Sequence, residues 1–369
     1  MDLSLNHFSR DYRAARNGLV AAAGEAAGWS HQAHRHPLPG LDGEPIFVDT
    51  FWRGPAEASR VLVITAGTHG VEGFCGSALQ SQFVADAPSL PDDTAVLMIH
   101  AVNPYGYSHI RRVNEDNVDI NRNFVDFGDG PPENTAYSDV EPLLNPAELP
   151  DGRIKAIMDD LMKLNETMGF LQFFKAVSGG QYEFSRGVQF GGSEPAWSRR
   201  TVETIWNTML AKAGIIVQFD VHTGLGPNAV GTLMMAADPE EPHHALAQEW
   251  FGDMMVTPRP KTREETILGG YLNGGLERTM SEAWVIPMTL EYGTEPPEAV
   301  LAAMIEENWL VHHGDIESPR GQAIKARLRE VFLPADDEWR RAILARGRQV
   351  FSDALTKLAT LERRLDKPQ

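Results

Sequence analysis

Four short apolar runs, at 61–65, 95–99, 215–219 and 285–290, constrain this chain more than any other feature. They are rich in Val, Ile and Leu, and near-continuous apolar strands of this kind are buried on both faces of a sheet. Between and around them lie helical patterns at 8–27, 73–86, 151–177, 197–213, 241–253 and 296–313. The alternation predicts an α/β fold. A further strand is expected at 45–52. Pro287, which lacks an N–H, suits a sheet edge or the start of pairing better than mid-ladder. Residues 125–150 and 178–192, rich in Gly, Pro, Asn and Asp or in Gly and aromatics, read as long loops of the kind that carry function. No boundary is legible before about residue 332. The division expected is a catalytic domain over 1–332 and a helical extension over 333–369. The extension is one helix over 336–365, whose stripe of Trp339, Ile343, Leu344, Val350, Phe351 and Leu355 either packs on the parent domain or pairs with a second copy.

Composition narrows the partners. The chain has 369 residues with 42% hydrophobic and 23% charged, enough for a sizeable core, and a net charge of −18. That charge argues against nucleic acid and against an anionic membrane surface. Cys75 is the only cysteine, so no internal disulfide forms. The first residues lack a basic segment followed by an apolar run, and no stretch is long and apolar enough to span a bilayer. A cytoplasmic location is expected.

Each strong strand runs into polar residues. The first ends at Gly67-Thr68-His69-Gly70-Val71-Glu72, the second at Asn103-Pro104-Tyr105-Gly106, the third at Asp220-Val221-His222-Thr223 and the fourth at Glu291-Tyr292-Gly293. Ligands bind outside the carboxyl ends of strands in open α/β sheets, so four such ends suggest one shared site. Zinc takes imidazole nitrogen and carboxylate oxygen, and a catalytic site uses three protein ligands plus water. His69, Glu72 and His222 form such a set. Glu291 is a candidate base for the bound water, and Arg112 a candidate partner for a developing oxyanion. Arg122, beside Asn121, has the fork that grips a carboxylate. Asp220 lies two residues before His222 and so on the same face, either supporting that histidine or buried with a backbone partner.

In this order, His69–Glu72, Asn103-Pro104, Arg111-Arg112, Val118-Asp119-Ile120-Asn121-Arg122, Asp220–Gly224 and Glu291–Gly293 resemble the M14 zinc carboxypeptidase clan. More closely, the chain looks like the DUF2817 subgroup, beside the succinylglutamate desuccinylase and aspartoacylase branch. The resemblance implies a mixed, mainly parallel sheet of about eight strands between helices. It implies zinc on His69, Glu72 and His222, with Glu291 as general base. It implies that Arg112, or the adjacent Arg111, polarises the carbonyl, and that Asn121 and Arg122 bind a substrate carboxylate. It also implies a tyrosine near the substrate. Tyr182 and Tyr271, both in glycine-flanked segments, are candidates, and Tyr182 is assigned to substrate binding. The interval from Glu72 to His222 is longer than in compact members of the clan, so specificity does not carry over.

The function expected is zinc-dependent hydrolysis of an amide in a carboxylate-bearing peptide or N-acyl amino acid. Alternatives are a small-molecule deacylase or desuccinylase and, from another class, a non-catalytic binding module. A homo-oligomer is compatible with the sequence. Seven of the other histidines, His31, His34, His36, His243, His244, His312 and His313, are expected to be solvated, and Cys75 to be a small core residue.

Overall fold

The computed structural model describes residues 3–235, 242–256 and 269–361. The chain opens with α1 (Tyr12–Glu25), β1 (Trp29–Pro39), β2 (Pro45–Arg53), β3 (Arg60–Ala66), α2 (Gly73–Asp86), β4 (Thr94–His100) and α3 (Pro104–Ser108). A helical stretch comes next, with α4 (Tyr137–Leu144), α5 (Arg153–Met168), α6 (Phe170–Ser178) and α7 (Trp197–Met209). The sheet resumes with β5 (Ile215–Asn228), β6 (Gly231–Met234), α8 (Pro242–Phe251), β7 (Met255–Val256), α9 (Leu272–Thr279) and β8 (Trp284–Gly293). Three helices complete the described chain, α10 (Pro297–His313), α11 (Pro319–Phe332) and α12 (Asp337–Thr360).

The eight strands form one mixed sheet in the order β1-β2-β4-β3-β5-β8-β6-β7. Its centre, β4-β3-β5-β8, is the set of four apolar runs, and all three pairings within it are parallel. Their carboxyl ends therefore share one edge. Alternation along each strand divides the apolar side chains between two cores. Leu62, Ile64, Val217, Phe219, Ile286 and Met288 pack with α1, α2, α8 and α12. Val61, Val63, Ile216 and Val285 pack on the other face with α7 and α9. A third apolar cluster ties α4, α5 and α6 to α10 through Tyr137, Leu144, Ile157, Leu161, Ala176 and Ile305.

Several local expectations need correction. Pro287 lies in an internal strand, β8, between β5 and β6. Among the described residues, Pro287 pairs with Gln218 of β5, and β6 pairs with positions 289–292. Residues 29–39 form an edge strand that is largely exposed, and its polar residues leave no apolar alternation to read. The 125–150 loop contains α4, and the helix expected at 151–177 breaks at Gly169, whose φ is +81°. The stripe of α12 is buried in the core, so that face leaves no surface for a second copy, and Trp339 Nε1 donates to Gly293 O at 2.9 Å. The end of the helix expected at 336–365 lies outside the described residues beyond 361. Cys75 is buried in the core.

Not all the histidines are solvated. His36 is buried, accepting from Leu38 N at 3.1 Å and facing Glu115 at 3.2 Å. His244 is also buried. His31 is exposed, as expected, yet it stacks on Phe51 and meets Asp49 at 2.7 Å, where Arg16 also reaches the same carboxylate through two hydrogen bonds.

One buried ion cluster fixes the segment that leads into the site. Arg111 Nε donates to Glu307 Oε1 at 3.0 Å, Lys325 Nζ reaches the same oxygen at 2.6 Å, and Arg111 Nη2 donates to Asn117 at 2.9 Å. Burial disfavours the charged form of Glu307, but Arg111 and Lys325 outweigh it and hold the carboxyl below its usual range. Removing one member of such a cluster strands the others, so Glu307→Ala should cost about 3–5 kcal/mol in urea unfolding. Because the folded value is depressed, this contribution is present at neutral pH and is lost as the pH falls through it. A variant as stable as the parent at pH 7 would contradict this.

Candidate metal centre

The turn after β3 carries two of the three candidate ligands. Gly67 adopts φ +73°, and Gly70 packs so closely that a Cβ there would lie 2.1 Å from the carbonyl carbon of Gly106. Gly70 N donates to Arg112 O at 3.1 Å and Val71 N to Arg111 O at 2.9 Å. The ligand turn and the arginine segment are thus joined by backbone hydrogen bonds. Asn103, after β4, is a buttress: its Oδ1 accepts from Gly106 N at 2.8 Å and its Nδ2 donates to Arg112 O at 3.4 Å. The third ligand, His222, sits on β5 and pairs in register with Glu291 on β8.

Candidate ligand atoms of His69, Glu72 and His222 lie within 4.8 Å of one another, and all three residues are buried. His69 Nδ1 is 2.9 Å from Glu72 Oε1, and His222 Nδ1 is 3.0 Å from Glu72 Oε2. The two Nδ1 atoms are 3.1 Å apart. On the far side of each ring, His69 Nε2 meets Asp119 Oδ1 at 2.9 Å and His222 Nε2 meets Asp220 Oδ2 at 2.6 Å. Carboxylates accept, so this network assigns the Nε2 protons outward and turns both Nδ1 lone pairs inward. Two inward lone pairs beside a carboxylate need a positive charge between them, and the donor set fits a metal ion.

The electrostatics agree. Burial disfavours the charged forms of both Glu72 and His222, but their neighbours prevail. The two histidines hold Glu72 well below the usual carboxylate range. Asp220 and Glu72 hold His222 well above its ordinary value. A metal ion would take the place of that proton.

The structure brings Arg112 to this centre and turns Arg111 away to Glu307. Arg112 Nε is 3.6 Å from Glu72 Oε1, and its Nη1 donates to Asp119 and, at 3.2 Å, to Gln189. Glu291 is buried, accepts from Leu225 N at 2.9 Å, and is pushed up to about 7 by burial. Asn121 Oδ1 accepts from Leu272 N at 2.9 Å. Arg122 donates to Ser178 O and Asn121 O, and its guanidinium lies 4.9 Å from the Tyr271 ring centre. Three of its five N–H groups are used in these bonds.

Tyr182 departs from its assignment. Its hydroxyl donates to Arg122 O at 2.6 Å from behind, outside the cavity wall, and Tyr271 is the tyrosine that lines the cavity. Asp119 and Gln189 received no role from sequence. The spacing of Asp119, two residues before Asn121, was available as a signal, whereas Gln189 lies in an irregular loop that offers none. Asp220, for which the sequence allowed two roles, bonds both His222 and Thr68, the latter at 2.8 Å.

Together these features define an α/β protein with a buried His–Glu–His centre at the carboxyl edge of a mixed sheet. The chain belongs to the DUF2817 family, described as a protein of unknown function, whose profile matches residues 8–346. No curated protein matches it. Among solved structures it is similar to carboxypeptidase A from Helicoverpa armigera, at 12% identity over 89% of this chain and 75% of that one, with a TM-score of 0.46. It is also similar to bovine thrombin-activatable fibrinolysis inhibitor in complex with tick carboxypeptidase inhibitor, at 10% identity over 94% and 100%, with a TM-score of 0.45. A third is succinylglutamate desuccinylase from Chromobacterium violaceum, at 15% identity over 86% and 74%, with a TM-score of 0.36.

Because Asp119 orients His69, Asp119→Asn should weaken Zn²⁺ binding about 10- to 100-fold in a competition titration with a chelating dye. Unchanged affinity would mean that this carboxylate does not position the ligand.

Proposed function

We propose that the chain is a zinc-dependent hydrolase that cleaves an amide bond in a peptide or N-acyl amino acid bearing a carboxylate. The observation that carries this reading is the convergence of His69, Glu72, His222, Glu291, Arg112, Asn121 and Arg122 on one cavity of about 630 Å³. The order of motifs shared with zinc carboxypeptidases supports the same reading.

His69, Glu72 and His222 would hold the ion. A bound zinc supplies Lewis acidity and a water whose pKa is lowered to roughly 7. Glu291 accepts the proton of the attacking water and delivers it to the leaving nitrogen. Arg112 steadies the negative charge that grows on the carbonyl oxygen. Its own orientation is held by Asp119 and Gln189. Arg122, with two N–H groups left over, and Asn121 hold the substrate carboxylate and so set the amide in line with the base.

Glu291→Gln should lower kcat about 10²- to 10⁴-fold on any amide the parent cleaves, with zinc content unchanged by metal analysis. Full activity in that variant would remove Glu291 from the role of base. A base acts in its ionised form, so raising its pKa moves the loss of activity upward in pH. With burial pushing Glu291 up to about 7, kcat/KM should fall as the pH drops below that value, and a bound dication would move the limb lower. An acid limb appearing only above that value would contradict the assignment.

A further inference from the structure

The polar groups of the cavity concentrate at one end. The ligands, Glu291 and the arginines gather at the sheet edge, and Asn273, Glu277 and Arg278 of α9 line the cavity with them. The rest is mostly apolar, with Asn165 on α5 and Glu298 on α10 as polar exceptions. From Leu225, whose N–H bonds Glu291, the wall continues through Leu301 and Met304 of α10. It then runs onto Met158, Met162, Phe170 and Phe174 of the α5–α6 pair.

This wall is unusually bare. Phe170 is 73% exposed, Met162 44%, Leu225 43% and Phe174 37%. Phe170 and Phe174 stack with ring centres 5.9 Å apart. The same helices are anchored away from the cavity through buried Ile157 and Ala176. The helix pair also meets the site directly, since Ser178 O at the end of α6 accepts from Arg122. Large exposed apolar side chains beside a reactive polar centre mark a ligand surface.

An amide has two sides. The polar corner at Asn121 and Arg122 suits the amino-acid side with its carboxylate. The apolar wall begins at Leu225, whose N–H bonds the base Glu291, and its helix pair meets the carboxylate corner through a backbone carbonyl, Ser178 O, so the wall suits the acyl side. We propose that the substrate is an N-acyl amino acid whose acyl group is a long aliphatic chain lying along α10, α5 and α6, an inference that rests on the hydrolase reading above. In the reaction the oxygen of water joins the acyl carbon, the C–N bond breaks, and the nitrogen takes a proton. The products are a long-chain carboxylic acid and a free amino acid, with no other reactant.

Binding and turnover test this separately. Calorimetric titration of zinc-loaded Glu291→Gln protein with N-decanoyl-alanine and N-acetyl-alanine should give at least about 100-fold tighter binding of the decanoyl compound, since each buried methylene contributes about fourfold. The double variant Phe170→Ser, Phe174→Ser should cut that ratio at least about tenfold. Equal affinities would overturn the inference. So would an equal gain when the chain is moved to the amino-acid side, as in N-acetyl-2-aminodecanoate. So would a double variant that changes the oligomeric state in size-exclusion chromatography and leaves the ratio intact, which would make the wall an interface between copies. Tight decanoyl binding without hydrolysis by the parent would keep the acyl subsite and remove the hydrolase reading. Hydrolysis indifferent to chain length would do the reverse.

Discussion

Buried negative charge governs the organisation of this molecule. Glu72, Asp119, Asp220 and Glu291 are all buried at one sheet edge, within reach of two imidazoles and Arg112. Carboxylates taken out of water are costly unless each is paired. Here Asp119 spans His69 and Arg112, Asp220 spans His222 and Thr68, and Glu72 receives both histidines and Thr223 N at 3.1 Å. What the protein side chains leave uncompensated is a concentrated demand for positive charge between the two imidazoles. A divalent ion would meet it more fully than a proton can.

That demand is met only because the sheet delivers its groups together. The parallel run β4-β3-β5-β8 places the ends of all four apolar strands on one edge, and the register sets His222 beside Glu291. Those strands were legible because burial on both faces removes polar residues from a strand, and the polar groups at its end then stand out. Edge strand β1 was hidden by the same physics in reverse. Its residues are exposed on both faces over much of its length, with polar Ser30, His31, Gln32 and Arg35 among them, so no apolar run marks it. The α5–α6 break was hidden because Gly169 is one residue in an otherwise helical pattern.

Within the site, legibility tracked sequence distance. His69 and Glu72 share one turn, and the types of His222 and Glu291 announce themselves at strand ends. Residues defined by what they touch were harder to read. Arg111 and Arg112 are adjacent and chemically alike. Their different fates depend on Glu307, 196 residues from Arg111, and on Asp119, seven residues from Arg112. Tyr182 and Tyr271 look equivalent in their glycine-rich settings, yet one lies behind Arg122 and the other in front of it. Gln189 reaches Arg112 from a loop whose course no periodicity describes.

The hydrogen bonds from Gly70 and Val71 to the Arg112 and Arg111 carbonyls have a consequence for how such a protein can diverge. They weld the ligand turn to the arginine segment, so neither moves without the other. The α5–α6 pair is held by its own apolar cluster, apart from the two cores that flank the sheet. Apart from the bonds between Ser178 O and Arg122, the candidate ligands and the proposed substrate wall thus reside on pieces of chain with separate supports. Sequence drift in the helix pair can reshape what the cavity admits while the machinery beneath it stays in register.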